Sequence, residues 1–167
     1  MEKKNIMQKI KIEKVVLSIG GTGEALEKGV KLLEMLTQQK PAKMRSTKRI
    51  PSLGVRPKLE IGTVVTLRKD SGKYLKRMLI AIDNKLKKKQ MSENTFSFGI
   101  KEYIEIPGTE YQRDIGMIGL DVTVVFIRAG RRVKLKKIKR GKIPKKQIIT
   151  KEEIIKFMEE NFETKFI

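Results

Sequence analysis

The stretch Val15-Val16-Leu17-Ser18-Ile19-Gly20-Gly21-Thr22-Gly23-Glu24 changes its hydrophobic period in the middle, and that change decides the fold class. Before it, from Lys9 to Ile19, Ile10, Ile12 and Val16 alternate with Lys11, Glu13 and Lys14 in a run rich in β-branched residues, which predicts a strand. After it, Leu26, Val30, Leu33 and Leu36 recur at three- and four-residue spacing, which predicts an amphipathic helix. Gly20, Gly21 and Gly23 make the turn between them.

Outward from this unit, residues 38–60 hold no period for long. Pro41, Pro51, Gly54 and Pro57 punctuate a run with seven basic residues and no acid before Glu60. This predicts a long, cationic, partly ordered loop, a length more usual for functional segments than for simple connections. Ile61 to Leu67 reads as a strand. Tyr74, Leu75, Met78, Leu79, Ile82 and Leu86 form the stripe of a second helix, with Lys85 and Lys87 to Lys89 at its end, where cations suit the helix dipole.

The second half is strand-rich: Phe96, Phe98 and Ile100 alternate, Tyr103 to Ile106 follows, and Leu120 to Ile127 is nearly continuous apolar sequence. Ala129-Gly130 predicts a turn that sends Arg131 to Ile138 back as a strand, with Arg132, Lys134 and Lys136 on one face by the two-residue period. Thr150 and Glu153 form a capping box that opens a helix with Ile154, Ile155, Phe157 and Met158 as its stripe. The expected architecture is α+β, an antiparallel sheet with helices packed on one face and long basic loops. One domain spans 1–167, divided into a basic loop at 38–60, a basic extension at 131–149 and a C-terminal helix at 150–167.

Composition narrows the chemistry. The 167 residues contain 39 Lys and Arg against 19 Asp and Glu, a net charge of +20, which makes a compact chain repel itself unless a polyanion neutralises it. Cysteine is absent, which excludes disulfides, thiolate nucleophiles and Cys-based zinc sites; histidine is absent too, removing the commonest general base. No catalytic residue, metal or cofactor is expected. Nor is a membrane span, because no run approaches the ~18 apolar residues one requires, and a soluble, intracellular protein is anticipated.

The glycine turn could cradle phosphate at a helix N-terminus, but the P-loop Gly-Lys-Ser/Thr ending is missing and the dinucleotide spacing does not match. A plain strand-to-helix turn explains it equally well. The basic segments speak more strongly: ten of the sixteen residues from Arg131 to Lys146 are Lys or Arg and none is acidic. Surfaces normally intersperse both signs, so this points to nucleic acid, and the lack of a helix-turn-helix, zinc-finger or zipper pattern favours RNA. Phe96, Phe98 and Tyr103 are expected in the core and not as stacking platforms. Asp83 and Asp121, isolated acids in apolar stretches, are read as anchors of a turn or an arginine.

Several strings then occur in one order: Val15 to Glu24; Thr37-Gln38-Gln39-Lys40-Pro41; Val64 to Arg68; Phe96 to Ile104; Ile106-Pro107-Gly108 with Tyr111; Asp114-Ile115-Gly116; Gly119 to Val122; and the Arg-Arg-Val-Lys-Leu-Lys-Lys run from Arg131. Over essentially the whole chain this resembles the universal L-five family of large-subunit ribosomal proteins, in its archaeal and eukaryotic branch. The resemblance implies a cytoplasmic protein of the large ribosomal subunit that binds 5S and large-subunit ribosomal RNA and helps form the central protuberance. Its implied neighbours are a second 5S-RNA-binding ribosomal protein and a protein of the small-subunit head, with a loop reaching peptidyl-site transfer RNA.

Residue by residue, the resemblance places RNA contacts on Ser18, Gly20 and Glu24, on Gln39 and Lys40, and on Thr66 and Arg68. The basic run adds Arg132, Lys134 and Lys136. The transfer-RNA loop falls on Ser52, Leu53, Gly54, Val55, Arg56, Pro57 and Lys58. Ser18 stands where the family usually has asparagine, so a hydroxyl replaces an amide. Pro57 and Leu59 replace more polar, glycine-containing forms, which implies a stiffer tip. Two rivals remain: a free-standing RNA-binding or chaperone factor, and a nucleotide-dependent enzyme built on the glycine turn.

Overall fold

A computed structural model describes residues 5–167. In chain order, β1 (Lys11–Gly20) leads through the glycine turn into α1 (Glu24–Thr37), followed by β2 (Ala42–Arg45), β3 (Glu60–Leu67) and α2 (Ser71–Ile80). Then come β4 (Lys85–Leu86), β5 (Met91–Ser92), β6 (Thr95–Ile100), β7 (Leu120–Ile127), the one-turn α3 (Arg132–Leu135), α4 (Lys151–Phe162) and β8 (Lys165–Phe166). Six strands make one sheet in the order β2-β3-β1-β7-β6-β5, with antiparallel neighbours throughout. A separate parallel pair joins β4 to β8. The α+β expectation therefore holds.

The strand period sorts side chains between two faces. Val15, Leu17 and Ile19 of β1, Val65 and Leu67 of β3, and Val122, Val124 and Phe126 of β7 are buried on one face. Leu33 and Leu36 of α1, Leu75, Met78 and Leu79 of α2, and Ile154 and Met158 of α4 complete a single core cluster with them. At such sites Leu→Ala costs about 2–5 kcal/mol, because the surroundings collapse only partly into the vacated space. Phe157 of α4 meets Phe126 edge-on at 5.6 Å, and Phe126 stacks on Phe96 at 5.7 Å. Phe96, Phe98 and Tyr103 are core residues as expected, all nearly inaccessible.

Two glycines shape α1, one by close approach and one by its backbone conformation. A Cβ at Gly29 would lie 3.1 Å from Ile19 and 3.2 Å from Thr63, so its absence lets α1 sit tightly on β1 and β3. At the start of the same helix Gly23 has φ +59, a left-handed conformation, and its carbonyl accepts from the amides of Leu26 (3.1 Å) and Glu27 (3.3 Å).

Several expectations need correction. The second helix does not run to Leu86: it stops at Ile80, and Asp83 and Asn84 adopt left-handed conformations that turn the chain. Lys85 and Lys87 to Lys89 therefore do not finish a helix; Leu86 is buried in β4 instead. Tyr103–Glu105 is a 3-10 helix with a buried Tyr103, and Ile106 follows in extended conformation. The segment 38–60 is not wholly loop, since Ala42–Arg45 adds an edge strand to β3. The C-terminal helix ends at Phe162, with a left-handed Glu163 as its cap, and Lys165–Phe166 pairs with β4.

The largest correction concerns Arg131 to Ile138, which forms no strand. Both edges of β7 are already hydrogen-bonded, one to β1 and the other to β6, so a returning strand has nowhere to pair. After Gly130 the chain winds into α3, with Val133 N donating to Gly130 O at 3.3 Å and Lys136 N to Arg132 O at 3.1 Å. The capping box is present as expected: Thr150 accepts from the Glu153 amide and Glu153 from the Thr150 amide.

Candidate nucleic-acid interface

The face of the sheet turned away from the buried one is lined by short side chains. Strand pairing builds rows across it. Ala42, Val64, Ser18, Asp121 and Gly99 stand side by side, and the next row is Thr66, Val16, Thr123 and Ser97. These residues are half-buried or exposed, in contrast to the inaccessible row of Leu17, Val65 and Val122 one position away. Hydroxyls, a carboxylate and backbone thus lie on a surface low enough for a large, shaped partner to approach.

The positions expected to touch RNA gather at this face and its margins, with one exception. Ser18 and Thr66 are in adjacent rows, Gly20 closes β1 at one end, and Glu24 is exposed at the start of α1. Gln39 and Lys40 are exposed between α1 and β2, and Arg68 is exposed immediately after β3. The exception is the trio Arg132, Lys134 and Lys136. In a helix alternate residues do not share a face, so Arg132 and Lys134 of α3 point in different directions, and Lys136 lies beyond the helix as its C-cap.

The segment 52–58 is an ordered, protruding tip. Ile50 and Val55 pair through hydrogen bonds of 2.9 and 3.1 Å, Pro51–Leu53 makes a 3-10 turn, and Gly54 at φ +65 reverses the chain. Below it, Ser46 N donates to Leu59 O (2.8 Å) and Lys58 N to Ser46 O (2.7 Å), so the tip stands on a short ladder. Ser52, Leu53, Arg56, Pro57 and Lys58 are exposed; Val55 is half-buried.

Electrostatics fix the flanks. Glu60 bridges Lys43 (3.5 Å) and Arg45 (3.2 Å) across the edge of the sheet, and the Arg45 hydrogen bond holds its carboxyl below the usual range. Glu153 is pushed up by partial burial, but hydrogen bonds from Thr150 and Arg128 outweigh this and leave it lowered. The glycine turn is poorly suited to an anion. Glu24 and Glu27 already occupy the first turn of α1, answering its dipole with negative charge. Among the described residues no cluster of His, Cys, Asp or Glu could hold a metal, and no helix is long and apolar enough to cross a membrane.

Comparison with known proteins agrees with this picture. The family model described as "Ribosomal protein L5" matches residues 5–56, and a second model, for the C-terminus of the same ribosomal family, matches residues 60–157. The chain belongs to the ribosomal protein L5 family. It is 44% identical over 165 residues to "Large ribosomal subunit protein uL5" of Nanoarchaeum equitans, covering 96% of this chain and 98% of that one. The protein of the same name from Methanosphaera stadtmanae is 41% identical, with 95% and 96% covered, and that from Pyrobaculum aerophilum 43%, with 92% and 88% covered. Membership of the L5 family makes the chain a ribosomal structural component and not an enzyme.

Sequence reasoning missed part of this L5-type sheet face. Asp121 and Thr123, beside Ser18 and Val16, and Ser97 and Gly99 beyond them were not singled out as surface. The signal was present: within Leu120–Ile127 the polar residues fall at alternate positions, 121 and 123, opposite the buried Val122 and Val124.

Proposed function

We propose that this protein binds 5S ribosomal RNA as a structural constituent of the large ribosomal subunit and helps to build the central protuberance. The observation that carries this reading is the accessible sheet face of short side chains around Ser18 and Thr66, in a chain with acid-free cationic segments at 38–58 and 131–146. Lys and Arg on the borders supply salt-dependent affinity by contacting phosphates. Ser18, Thr66 and Gln39 contribute shape and hydrogen-bond register on folded RNA. Gly20, Glu24, Lys40 and Arg68 complete the contact set, and Arg132, Lys134 and Lys136 add phosphate contacts from the basic run.

The tip at 52–58 extends to peptidyl-site transfer RNA, where the Arg56 guanidinium offers paired donors to a phosphate. A second 5S-RNA-binding ribosomal protein and a protein of the small-subunit head are the protein neighbours in this proposal, and the cytoplasm its location. The described residues, 5–167, perform these roles as one folded unit. What supports it is the single core cluster, which runs from Val15 in the first matched segment to Met158.

Site-specific crosslinking within intact ribosomes tests the assignment. Photoreactive groups at Gln39 and Arg56 are expected to yield 5S RNA and transfer RNA adducts respectively. Recovery of the protein only in the ribosome-free supernatant at moderate salt would instead support a dissociable RNA-binding factor.

A further inference from the structure

The basic extension does more than cross the surface. Between it and the β6–β7 end of the sheet lies a cleft of about 820 Å³, within the ~300–1,000 Å³ range of sites that take small molecules. Its lining combines the apolar Val125, Ile143 and Ile148 with Arg128, Arg131, Lys134, Arg140 and Lys142, against the single acid Glu93. Resting on the RNA-binding reading above, we propose that this cleft receives one unpaired nucleotide of the bound RNA, with its phosphate on Lys134, Arg140 and Lys142 and its base against the apolar residues.

The cleft is built, because both ends of the extension are fastened. Arg131 pairs with Glu13 of β1. Arg128 donates to the Lys146 carbonyl at 2.9 Å and to Glu153 at 2.6 Å, tying the returning chain to α4. Asn94 closes the far end: its amide donates to Ile149 O (3.2 Å) and its side-chain oxygen accepts from Ile149 N (2.9 Å). The floor depends on one glycine. Gly141 N donates to Val133 O at 3.2 Å, and a Cβ there would lie 2.6 Å from the Val133 side chain.

The charge that remains is available to a ligand. Arg128 and Arg131 are matched to carboxylates, whereas Lys134, Arg140 and Lys142 make no ion pair among the described residues. The Arg128 Nε–H is buried without an acceptor among the described residues. Cations and aliphatic surface lining one cleft match the two halves of a nucleotide. The space suits one splayed from its stack, as proteins read RNA mainly at bulges and loops, and not a duplex segment.

The experiment uses the full chain and two labelled RNA hairpins of equal length, one carrying a single unpaired uridine, with uridine monophosphate as a third probe. The bulged hairpin is expected to bind about tenfold tighter than the perfect one, a difference of about 1.4 kcal/mol. Thr95→Trp, which fills the cleft without changing charge, should bring both hairpins to the weaker affinity; Lys134→Gln with Lys142→Gln should shrink the difference without altering the core. Equal affinity of the unaltered protein for both hairpins overturns the cleft assignment while leaving RNA binding intact. A preference that survives both variants overturns it too, placing the bulge elsewhere. Uridine monophosphate binding as tightly as the bulged hairpin makes a free nucleotide the ligand and overturns the RNA assignment. Failure to bind either hairpin while 5S RNA is bound overturns the cleft assignment alone; failure to bind 5S RNA as well overturns the parent reading and the cleft with it.

Discussion

Residues 38–60 and 131–149 are alike in composition, both crowded with Lys and Arg and nearly free of acids, yet they end in different states. The first finds the open edge of β3 and adds β2 to it, with Glu60 drawing Lys43 and Arg45 to the new edge. The second leaves β7, whose neighbours β1 and β6 occupy both sides, so it winds through α3 and is fastened by Arg128 and Arg131. Local alternation does not make a strand. A vacant edge does.

The sharpest way to break this contrast is to release the second segment alone. Arg128→Met removes the Glu153 pair and the hydrogen bond to Lys146, and should cost about 2 kcal/mol in urea denaturation, since the Arg128 side chain is only 12% exposed. Lys43→Met with Arg45→Met, at the exposed edge of the first segment, should leave the unfolding midpoint almost unmoved. Comparable losses from the two would contradict the distinction between a paired edge and a tethered extension.

The capping box that receives the extension comes next in size. Thr150→Ala should lower stability by about 1 kcal/mol, measurable in the same titration, and amide exchange should quicken in the first turn of α4. An effect of about 1 kcal/mol is also expected at the open face, in binding and not in stability. Ser18→Asn restores an amide donor and acceptor and should tighten 5S RNA binding by about fivefold in a filter-binding assay. No change would remove Ser18 from the contact set.

How much of this was legible in the sequence follows from the same contrast. Where a period is set by contacts within one element it could be read directly: β1, α1, β3, β7 and the Thr150–Glu153 cap fall at or within a few residues of their expected places. Where the outcome depends on a distant partner it could not. Arg131 to Ile138 has strand alternation but no edge, and Lys85–Leu86 continues a helical stripe but pairs with Lys165–Phe166 near the far end of the chain. The open face shows both sides of this. Ser18 and Thr66 entered through family resemblance, while Thr123 and Ser97 became visible as their neighbours only through strand register.

The smallest expected effect is in acid. Because the folded Glu153 carboxyl is lowered from its ordinary value of 4.5, its contribution is complete above that value and is lost as pH falls through the lowered one. The stability difference between the unaltered protein and Glu153→Gln should therefore be constant near neutrality and shrink on acidification. A difference that grew in acid would reverse the sign of the linkage and loosen the tie between α4 and the extension.

The most direct test of the central claim, that unmatched cations are held by RNA phosphates, is the salt dependence of 5S RNA affinity for the full chain and for Arg132→Gln/Lys134→Gln/Lys136→Gln. The logarithm of affinity should fall linearly with the logarithm of salt. In the triple variant that slope should be shallower by about 2, since each phosphate contact contributes about 0.7–0.9. A flat response in the unaltered protein, or identical slopes in the two, would contradict the account.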